Sequence, residues 1–250
     1  MKTTLARSLA LTALLGLGAL GCGSSSGSGV SWPPTASESP TATETAAPTG
    51  TGGGSAELLI GQVNDTMRSL AFTGIGNSTA FDGGTTQVAW NPDQGLRISY
   101  SATADGGKDM YCKDGVTYTS APLLKQGLAG KGIEISVPDR LADVYVVTEA
   151  DGRDCSMYFV LPGSGNFAPE KDTTVNGVRA RAVVASSGPT SDTYYISVDD
   201  PARLLKLVSV RDGRTSSTTY SGFGQKQDIT FPSPERTMTM DEFRAQVDAG

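Results

Sequence analysis

The residues whose chemistry the sequence most clearly defines are three cysteines: Cys22, Cys112 and Cys155. A cysteine sulfur can carry a lipid or form a disulfide, and its surroundings decide which. Cys22 follows an apolar run at residues 9–20, and Lys2 and Arg7 make the preceding segment basic. This order is typical of an export signal, and a run of about a dozen residues is shorter than the roughly 20 that span a bilayer. We therefore expect an exported chain without a transmembrane helix after processing.

The residues Ala19-Leu20-Gly21-Cys22 resemble the bacterial lipobox, although Ala19 stands where that motif usually has leucine. The resemblance implies that the Cys22 sulfur receives a diacylglycerol and that Cys22 becomes the N-terminus once residues 1–21 are removed. Such a protein is held at the cell membrane by its lipid and faces the extracytoplasmic side. The alternative is an ordinary secretory signal, in which Cys22 is removed or incidental.

Residues 22–55 consist almost wholly of glycine, serine, threonine, proline and alanine, with Glu38 and Glu44 as their only charges. Such a composition cannot bury an apolar core. Treated as a flexible coil, the segment has a root-mean-square reach of about 30 Å. We interpret it as a disordered tether, followed by a single soluble domain at residues 56–250.

The two remaining cysteines, Cys112 and Cys155, lie in this domain. Outside the cytoplasm an isolated pair of cysteines tends to be oxidised, so we predict a disulfide between them. Closing a loop of about 40 residues contributes on the order of 3 to 4 kcal/mol in the chain-entropy model. The alternative is two buried free thiols.

The sequence contains no histidine, which removes the usual general base and every Ser-His-Asp or Cys-His arrangement. The acidic candidates for a cation site are Asp199-Asp200 and the acids within residues 151–154, which we interpret as solvated turn acids. The glycine-rich residues 161–165 lack the Gly-Lys-Ser/Thr ending of a phosphate-binding loop. We therefore expect no enzyme activity, no metal site and no cofactor.

The charge of the processed chain also limits its partners. Without Lys2 and Arg7, the sequence has 18 basic and 26 acidic residues, a net charge of −8, and no basic cluster. Because nucleic-acid binding depends on basic residues that neutralise phosphates, we expect no nucleic-acid partner.

The first element of the domain is predicted to be an amphipathic helix over residues 56–70. Leu59, Val63, Met67 and Leu70 recur there at helical spacing. The next segments alternate apolar and polar residues with period two, as at residues 96–101, which is the pattern of strands with one buried face. The helix and the strands can thus bury their apolar sides against each other.

Hairpin turns are indicated by dipeptides that tolerate positive φ angles. Three such dipeptides occur: Asp114-Gly115, Asn176-Gly177 and Asp212-Gly213. They predict antiparallel hairpins over residues 110–119, 173–184 and 204–220. A further strand at 194–198 joins the last hairpin through a turn at Asp199-Asp200-Pro201.

Three shorter helices complete the predicted elements. Residues 122–130 and a segment beginning at 137–141 are candidates, the second with Pro138 in its first turn. Thr239 and Glu242 have the spacing of a capping box, which predicts a C-terminal helix through Val247. The fold class expected from these patterns is α+β, dominated by an antiparallel sheet.

The C-terminal half contains a succession of strand, turn, strand and a final Ile-Thr-Phe-Pro segment. The segments are residues 175–180, 193–200, 204–210, Tyr220-Ser221-Gly222-Phe223-Gly224 and Ile229-Thr230-Phe231-Pro232. Over residues 56–235 this layout resembles the lipoprotein-carrier family of LolA and LolB and of the actinobacterial lipoproteins LppX and LprG. The resemblance implies a curved antiparallel sheet, or half-barrel, with an N-terminal helix and short helices on its concave face.

A sheet curved around a helix can enclose apolar space for an acyl chain. We expect the lining residues to be Leu59, Val63, Phe72, Trp90, Ile98, Tyr100, Tyr118, Tyr158, Val160, Leu205 and Leu207. Each of them also fits an ordinary core without a cavity. Two functions therefore remain open: an envelope lipoprotein that binds or carries a lipid or glycolipid, and a non-enzymatic module with a filled core that docks on an envelope protein.

Overall fold

The computed structural model describes residues 56–78, 84–101, 107–149 and 153–247, all of which belong to one compact unit. The export signal, Cys22 and the tether lie outside the described residues, as does part of the acidic segment at 151–154. No helix in the described part of the chain combines the length and the apolar character needed to cross a membrane.

Helix α1 spans Ala56–Ser69 and confirms the predicted N-terminal helix. Of the predicted apolar stripe, Val63 and Met67 are fully buried, whereas Leu59 and Leu70 at its ends are partly buried, and Ile60 joins the buried side with 2% exposure. The opposite side of the helix faces solvent, as the 71% exposure of Leu58 shows. The helix is therefore amphipathic in the structure as well as in the sequence.

Two further helices are close to their predicted positions: α2 is Ala121–Ala129 and α3 is Met240–Val247. The Thr239 N–H donates to a Glu242 carboxylate oxygen at 2.7 Å, and the Glu242 N–H donates to the Thr239 hydroxyl at 3.2 Å. The predicted capping box is therefore present. The candidate helix near Pro138 is only a single 3₁₀ turn, Asp139–Leu141.

The strands of the described fold form one sheet of 13 strands. In chain order the strands are β1 (Phe72–Asn77), β2 (Thr85–Asn91), β3 (Gly95–Ser101), β4 (Gly107–Lys113), β5 (Val116–Ser120), β6 (Tyr145–Glu149), β7 (Asn166–Phe167), β8 (Thr173–Val175), β9 (Val178–Ser187), β10 (Thr190–Ser197), β11 (Leu204–Arg211), β12 (Arg214–Ser221) and β13 (Thr237–Thr239). Across the sheet they follow the order β13-β6-β5-β4-β3-β2-β1-β12-β11-β10-β9-β7, and β8 also pairs with β9. The predicted α+β class is confirmed.

The pairings are antiparallel except at one edge, where β13 runs parallel to β6. The sequence pattern did not indicate this parallel pair, because it joins segments about 90 residues apart. The three predicted hairpins are confirmed. Asp114, Asn176 and Asp212 each have a φ of 50°, and the glycine after each also has a positive φ.

The two faces of the sheet have different partners. Alternate residues of β2 and β3, such as Trp90, Leu96 and Ile98, pack with α1, and we call this side the helix face. The opposite side is the outer face. After β12 the chain turns, and residues 225–233, which we call the strap, run along the outer face before the chain reaches β13.

The strap is held by both polar and aromatic contacts. The Ile229 N–H donates to the Gln94 side-chain oxygen at 2.8 Å. The Phe231 ring lies 5.3 Å from the ring of Tyr111 and 5.5 Å from that of Tyr118, measured between centroids. A second apolar layer therefore covers part of the sheet on the side away from α1.

A second irregular segment, residues 153–165, lies against the helix face, and we call it the insert. Cys155 at its start is bonded to Cys112 of β4 with an S–S distance of 2.06 Å, which confirms the predicted disulfide. Farther along, Asn64 of α1 makes two hydrogen bonds to the main chain of Leu161. Its Nδ2 donates to the Leu161 carbonyl at 2.9 Å, and its Oδ1 accepts from the Leu161 N–H at 2.7 Å. The insert is thus fixed both to the sheet and to α1.

We expect the double substitution Cys112→Ala/Cys155→Ala to lower the free energy of unfolding by about 3 to 4 kcal/mol, because the bond joins residues separated by 43 positions. Urea denaturation of the oxidised wild type and of the double variant measures this difference. In the denatured but unreduced wild type, neither thiol should react with a labelling reagent. Two reactive thiols at these positions would contradict the disulfide.

Replacing Asn64 by alanine should lower the free energy of unfolding by about 2 kcal/mol, because two main-chain groups of Leu161 lose their partner in a partly buried setting. Gln62→Ala is the matched control, since Gln62 is exposed on the same helix, and should change the value by less than about 0.5 kcal/mol. Urea denaturation compares the two variants. Equal losses would show that Asn64 does not hold the insert.

Candidate functional site

Nine of the eleven predicted lining residues lie together on the helix face, in one apolar cluster. Those buried inside it are Val63, Phe72, Trp90 and Ile98. Those only partly buried at its margin are Leu59, Tyr100, Tyr158, Val160 and Leu207. The structure therefore brings most of the predicted residues together and divides them into a closed interior and an accessible margin.

Tyr118 lies on the opposite side of the sheet, so its prediction as a lining residue is corrected. It pairs with Tyr111 across the β4–β5 hairpin, and both rings contact Phe231 of the strap. Cys112, which follows Tyr111, faces the insert because of the disulfide. Since successive strand residues point to opposite faces, Tyr111 and its cross-strand neighbour Tyr118 must face outward.

Leu205 is also corrected, for a different reason. The register between β10 and β11 shifts after Tyr195, so that Ile196 pairs with Leu204 while Tyr195 pairs with Lys206. Leu205 is the extra residue of this irregularity. Such an extra residue interrupts the alternation of faces. As a result Leu205 packs in a separate cluster instead of with Leu207.

The centre of the predicted cavity is filled by side chains of the insert. Phe159 is buried, with its ring centroid 5.1 Å from that of Phe72 at an interplanar angle of 85° and 5.0 Å from that of Trp90. Edge-to-face contacts of this kind stabilise aromatic cores. Leu161 is buried in the same cluster. No sequence pattern indicated Phe159 or Leu161 as core residues; the available signal was the disulfide at Cys155, which holds the following residues at the helix face.

The C-terminal end of α1 is closed by polar contacts. The Trp90 indole N–H donates to the Arg68 carbonyl at 3.2 Å, and the Arg68 Nε donates to the Ser156 hydroxyl at 3.1 Å. Asp154 caps the insert by accepting from the Ser156 N–H at 2.7 Å, and hydrogen bonding to Ser156 lowers the pKa of the Asp154 carboxyl. A pocket of about 210 Å³ beside these residues is lined by both basic and acidic side chains.

The partly buried margin of the cluster is the candidate binding surface, and we call it the rim. The rim is the part of this margin formed by six of its residues: Leu59, Val88, Tyr100, Tyr158, Val160 and Leu207. Burial, and to a smaller extent the nearby Tyr158, raises the pKa of Tyr100 to about 12. The Tyr100 phenol therefore stays neutral at physiological pH. The rim offers an uncharged and mostly apolar surface next to a closed core.

Two of the acidic residues considered for cation binding, Asp154 and Asp199, instead contact neighbouring groups of the protein. Within the described ranges, no three potential metal ligands come together. In the turn after β10, Asp199 pairs with Arg203 at 3.6 Å, which fits the interpretation of a turn acid. Residues 161–165 form neither helix nor strand and belong to the insert. The chemistry that the described helix face offers is apolar contact and hydrogen bonding.

Comparison with known proteins gives no match at the level of sequence. No family model matches the chain. No curated protein matches it either.

Several solved structures are similar to this chain in fold. The lipoprotein LppX from Mycobacterium tuberculosis has 10% identity and a TM-score of 0.45, covering 70% of this chain and 97% of LppX. LprF from Mycobacterium bovis has 13% identity and a TM-score of 0.42, covering 74% of this chain and 99% of LprF. A LolA superfamily protein from Nitrosomonas europaea has 8% identity and a TM-score of 0.32, covering 70% and 94% of the two chains.

Proposed function

We propose that this chain is an envelope lipoprotein, anchored through a lipid on Cys22, that binds a hydrophobic ligand on the helix face of its sheet. The sequence Ala19-Leu20-Gly21-Cys22 supports the anchor through its resemblance to the lipobox. The disulfide between Cys112 and Cys155 supports an extracytoplasmic location, because disulfides persist in oxidising compartments. The tether at residues 22–55 would let the domain move tens of ångströms from the membrane.

The rim is the observation that carries the ligand-binding proposal. Its side chains pack against the core on one side and remain partly exposed on the other. Apolar area left in water costs about 25 cal/mol per Å², so an acyl chain laid along the rim would gain by covering it. Its aliphatic and phenolic surfaces suit a flexible hydrocarbon chain and offer it no charged partner.

The proposed site is shallower than the cavity expected from the sequence. Val63 and Phe72 are fully buried, and Phe159 of the insert packs against Phe72. These residues act as core, and the ligand would contact Leu59 and Leu207 at the margin instead. Entry of an acyl chain to greater depth would require the insert to move.

The filled interior also favours a second candidate function, a non-enzymatic module that docks on an envelope protein. In that case the rim would be covered by a protein partner and no lipid would copurify. Native mass spectrometry of the mature chain from Gly23, exported through a cleavable signal that does not lead to lipidation, separates the two functions. One lipid per protein supports the carrier, whereas a clean apoprotein that takes up no fluorescent acyl probe supports the docking module.

The anchor gives a direct prediction. Cells that express the full chain should incorporate labelled palmitate into it, and Cys22→Ala should abolish the label because the acceptor sulfur is gone. Cys112→Ala/Cys155→Ala is the control for the other two cysteines and should retain the label. A labelled Cys22→Ala variant, or an unlabelled wild type, would contradict lipidation at Cys22.

For the ligand site, we expect Leu59→Gln to weaken binding of a fluorescent acyl probe by about fivefold, because part of a leucine side chain no longer gives apolar contact. Leu58→Gln makes the same chemical change at the neighbouring position, which is 71% exposed on the far side of α1. That control should bind the probe as the wild type does. If the two variants bind alike, the ligand does not lie against the rim.

A further inference from the structure

A row of polar side chains crosses the helix face beside the rim. Because side chains alternate between the two faces along a strand, Thr86 of β2 points to the same face as Trp90 and lies opposite Tyr100 of the rim. Thr218 of β12 likewise lies opposite Leu207. Two residues farther along these strands, Asp192 of β10 pairs with Ser209 of β11, and Ser209 pairs with Ser216 of β12, which continues the polar row. Five residues make up this polar belt: Thr86, Thr218, Ser216, Ser209 and Asp192.

Thr86 is the most informative member of the polar belt. It is only 8% exposed, and among the described residues its Oγ1 has no hydrogen-bond partner. A buried hydroxyl that leaves water without gaining a partner destabilises the folded state, so folded proteins nearly always pair such groups. An unpaired hydroxyl at this position points to a partner that binds at the helix face.

Asp192 keeps a second acceptor available. Its Oδ2 accepts from the Tyr194 hydroxyl at 3.3 Å and from the Arg211 Nη2 at 2.8 Å. Its Oδ1 is buried and forms an ion pair with Arg211 Nη2 at 2.8 Å, and within the described part of the chain no further group donates a hydrogen bond to it. Burial, followed by the charge of Asp192, raises the pKa of Tyr194, so this phenol remains a donor to Oδ2. Because a carboxylate oxygen has two lone pairs, Oδ1 can accept a further hydrogen bond from an O–H group of a ligand in addition to its ion pair with Arg211.

The charges around the polar belt favour an uncharged ligand group. Asp192 is the one charged residue of the belt, and Arg211 neutralises it. The Nη1 of Arg211 donates to the carbonyls of Ser191 at 3.3 Å and Val210 at 2.9 Å, while its Nη2 is held by Asp192. Both terminal nitrogens are therefore engaged. A carboxylate placed here would be repelled by Asp192, whereas a hydroxyl can donate to it.

We propose that the polar belt binds an uncharged headgroup with free hydroxyls, of the kind that glycerol presents, while the rim holds the attached acyl chain. This inference rests on the proposed function, because it assigns the headgroup of the same hydrophobic ligand. Tyr100 pairs with Thr86, and Leu207 with Thr218, so apolar and hydroxyl groups meet along one line. That line matches the boundary between the chain and the head of a neutral amphiphile.

The test compares two probes with the same acyl chain, monoolein and oleate, in competition with a fluorescent acyl probe for the mature chain at pH 8. The wild type should bind monoolein more tightly than oleate by about tenfold. Thr86→Val should reduce this preference by about fivefold, the effect of one hydrogen bond, without lowering the melting temperature. Valine has the shape of threonine, and the lost hydroxyl has no partner among the residues that the structure describes. Thr85→Val is the matched control, because Thr85 is exposed on the outer face, and should keep the preference.

The outcomes separate the headgroup from the acyl site. A preference for monoolein that falls in Thr86→Val and persists in Thr85→Val supports the polar belt. Equal binding of both probes by the wild type, or an unchanged preference in Thr86→Val, overturns the belt and leaves the acyl site standing. Tighter binding of oleate would also overturn the polar belt as the headgroup site. The carboxylate would then have a cationic partner, such as Arg214, which is exposed at the end of the β11–β12 hairpin. Failure to bind either probe overturns the proposed function together with this inference.

Discussion

Burial of the apolar stripe of α1 is the constraint on which the described fold depends. A helix of 14 residues is marginal in water by itself, so its stability must come from packing. The sheet supplies one side of that packing through residues such as Phe72, which is fully buried. The insert supplies the other side through Phe159 and Leu161. Helix, sheet and insert therefore stabilise one another, and the disulfide at Cys155 limits how far the insert can move away.

The outer face of the sheet also needs a partner that buries its apolar side chains. A wide sheet covered on one side only would leave the alternate residues of its strands in water. The strap covers Tyr111 and Tyr118 with Phe231, and the guanidinium of Arg97 lies 5.6 Å from the centre of the Tyr111 ring. Strand β4 consequently has large buried side chains on both faces, with Met110 in the helix-face cluster and Tyr111 in the outer one. Burial on both faces explains why hydrophobicity alone does not assign a tyrosine to one side.

Local signals determined what the sequence predicted correctly. The Asp-Gly and Asn-Gly dipeptides specify their turns through positive φ angles, and the stripe of α1 specifies its buried side. The disulfide followed from the number of cysteines and the export signal. The residues whose position was predicted wrongly, or not predicted at all, are placed by contacts between segments that are distant in the sequence. Leu205 changes face because of a register shift against β10, and Phe159 enters the core because the insert is bonded to β4. No periodicity within a short window contains that information.

The helix face changes from apolar to polar along the direction of its strands, and this change bears on the kind of ligand that the face could bind. On β2, Trp90 and Val88 continue the apolar core, whereas Thr86 brings a hydroxyl to the same face. Valine at that position would fill the same volume and avoid an unpaired polar atom, so packing of the core alone does not account for threonine. Departures from the rules of core packing are expected where a protein meets a ligand. The ligand that we propose, with an acyl chain and a hydroxyl-bearing head, would follow this change along the face, which is apolar at one level and polar, with the unpaired Thr86 hydroxyl, at the next.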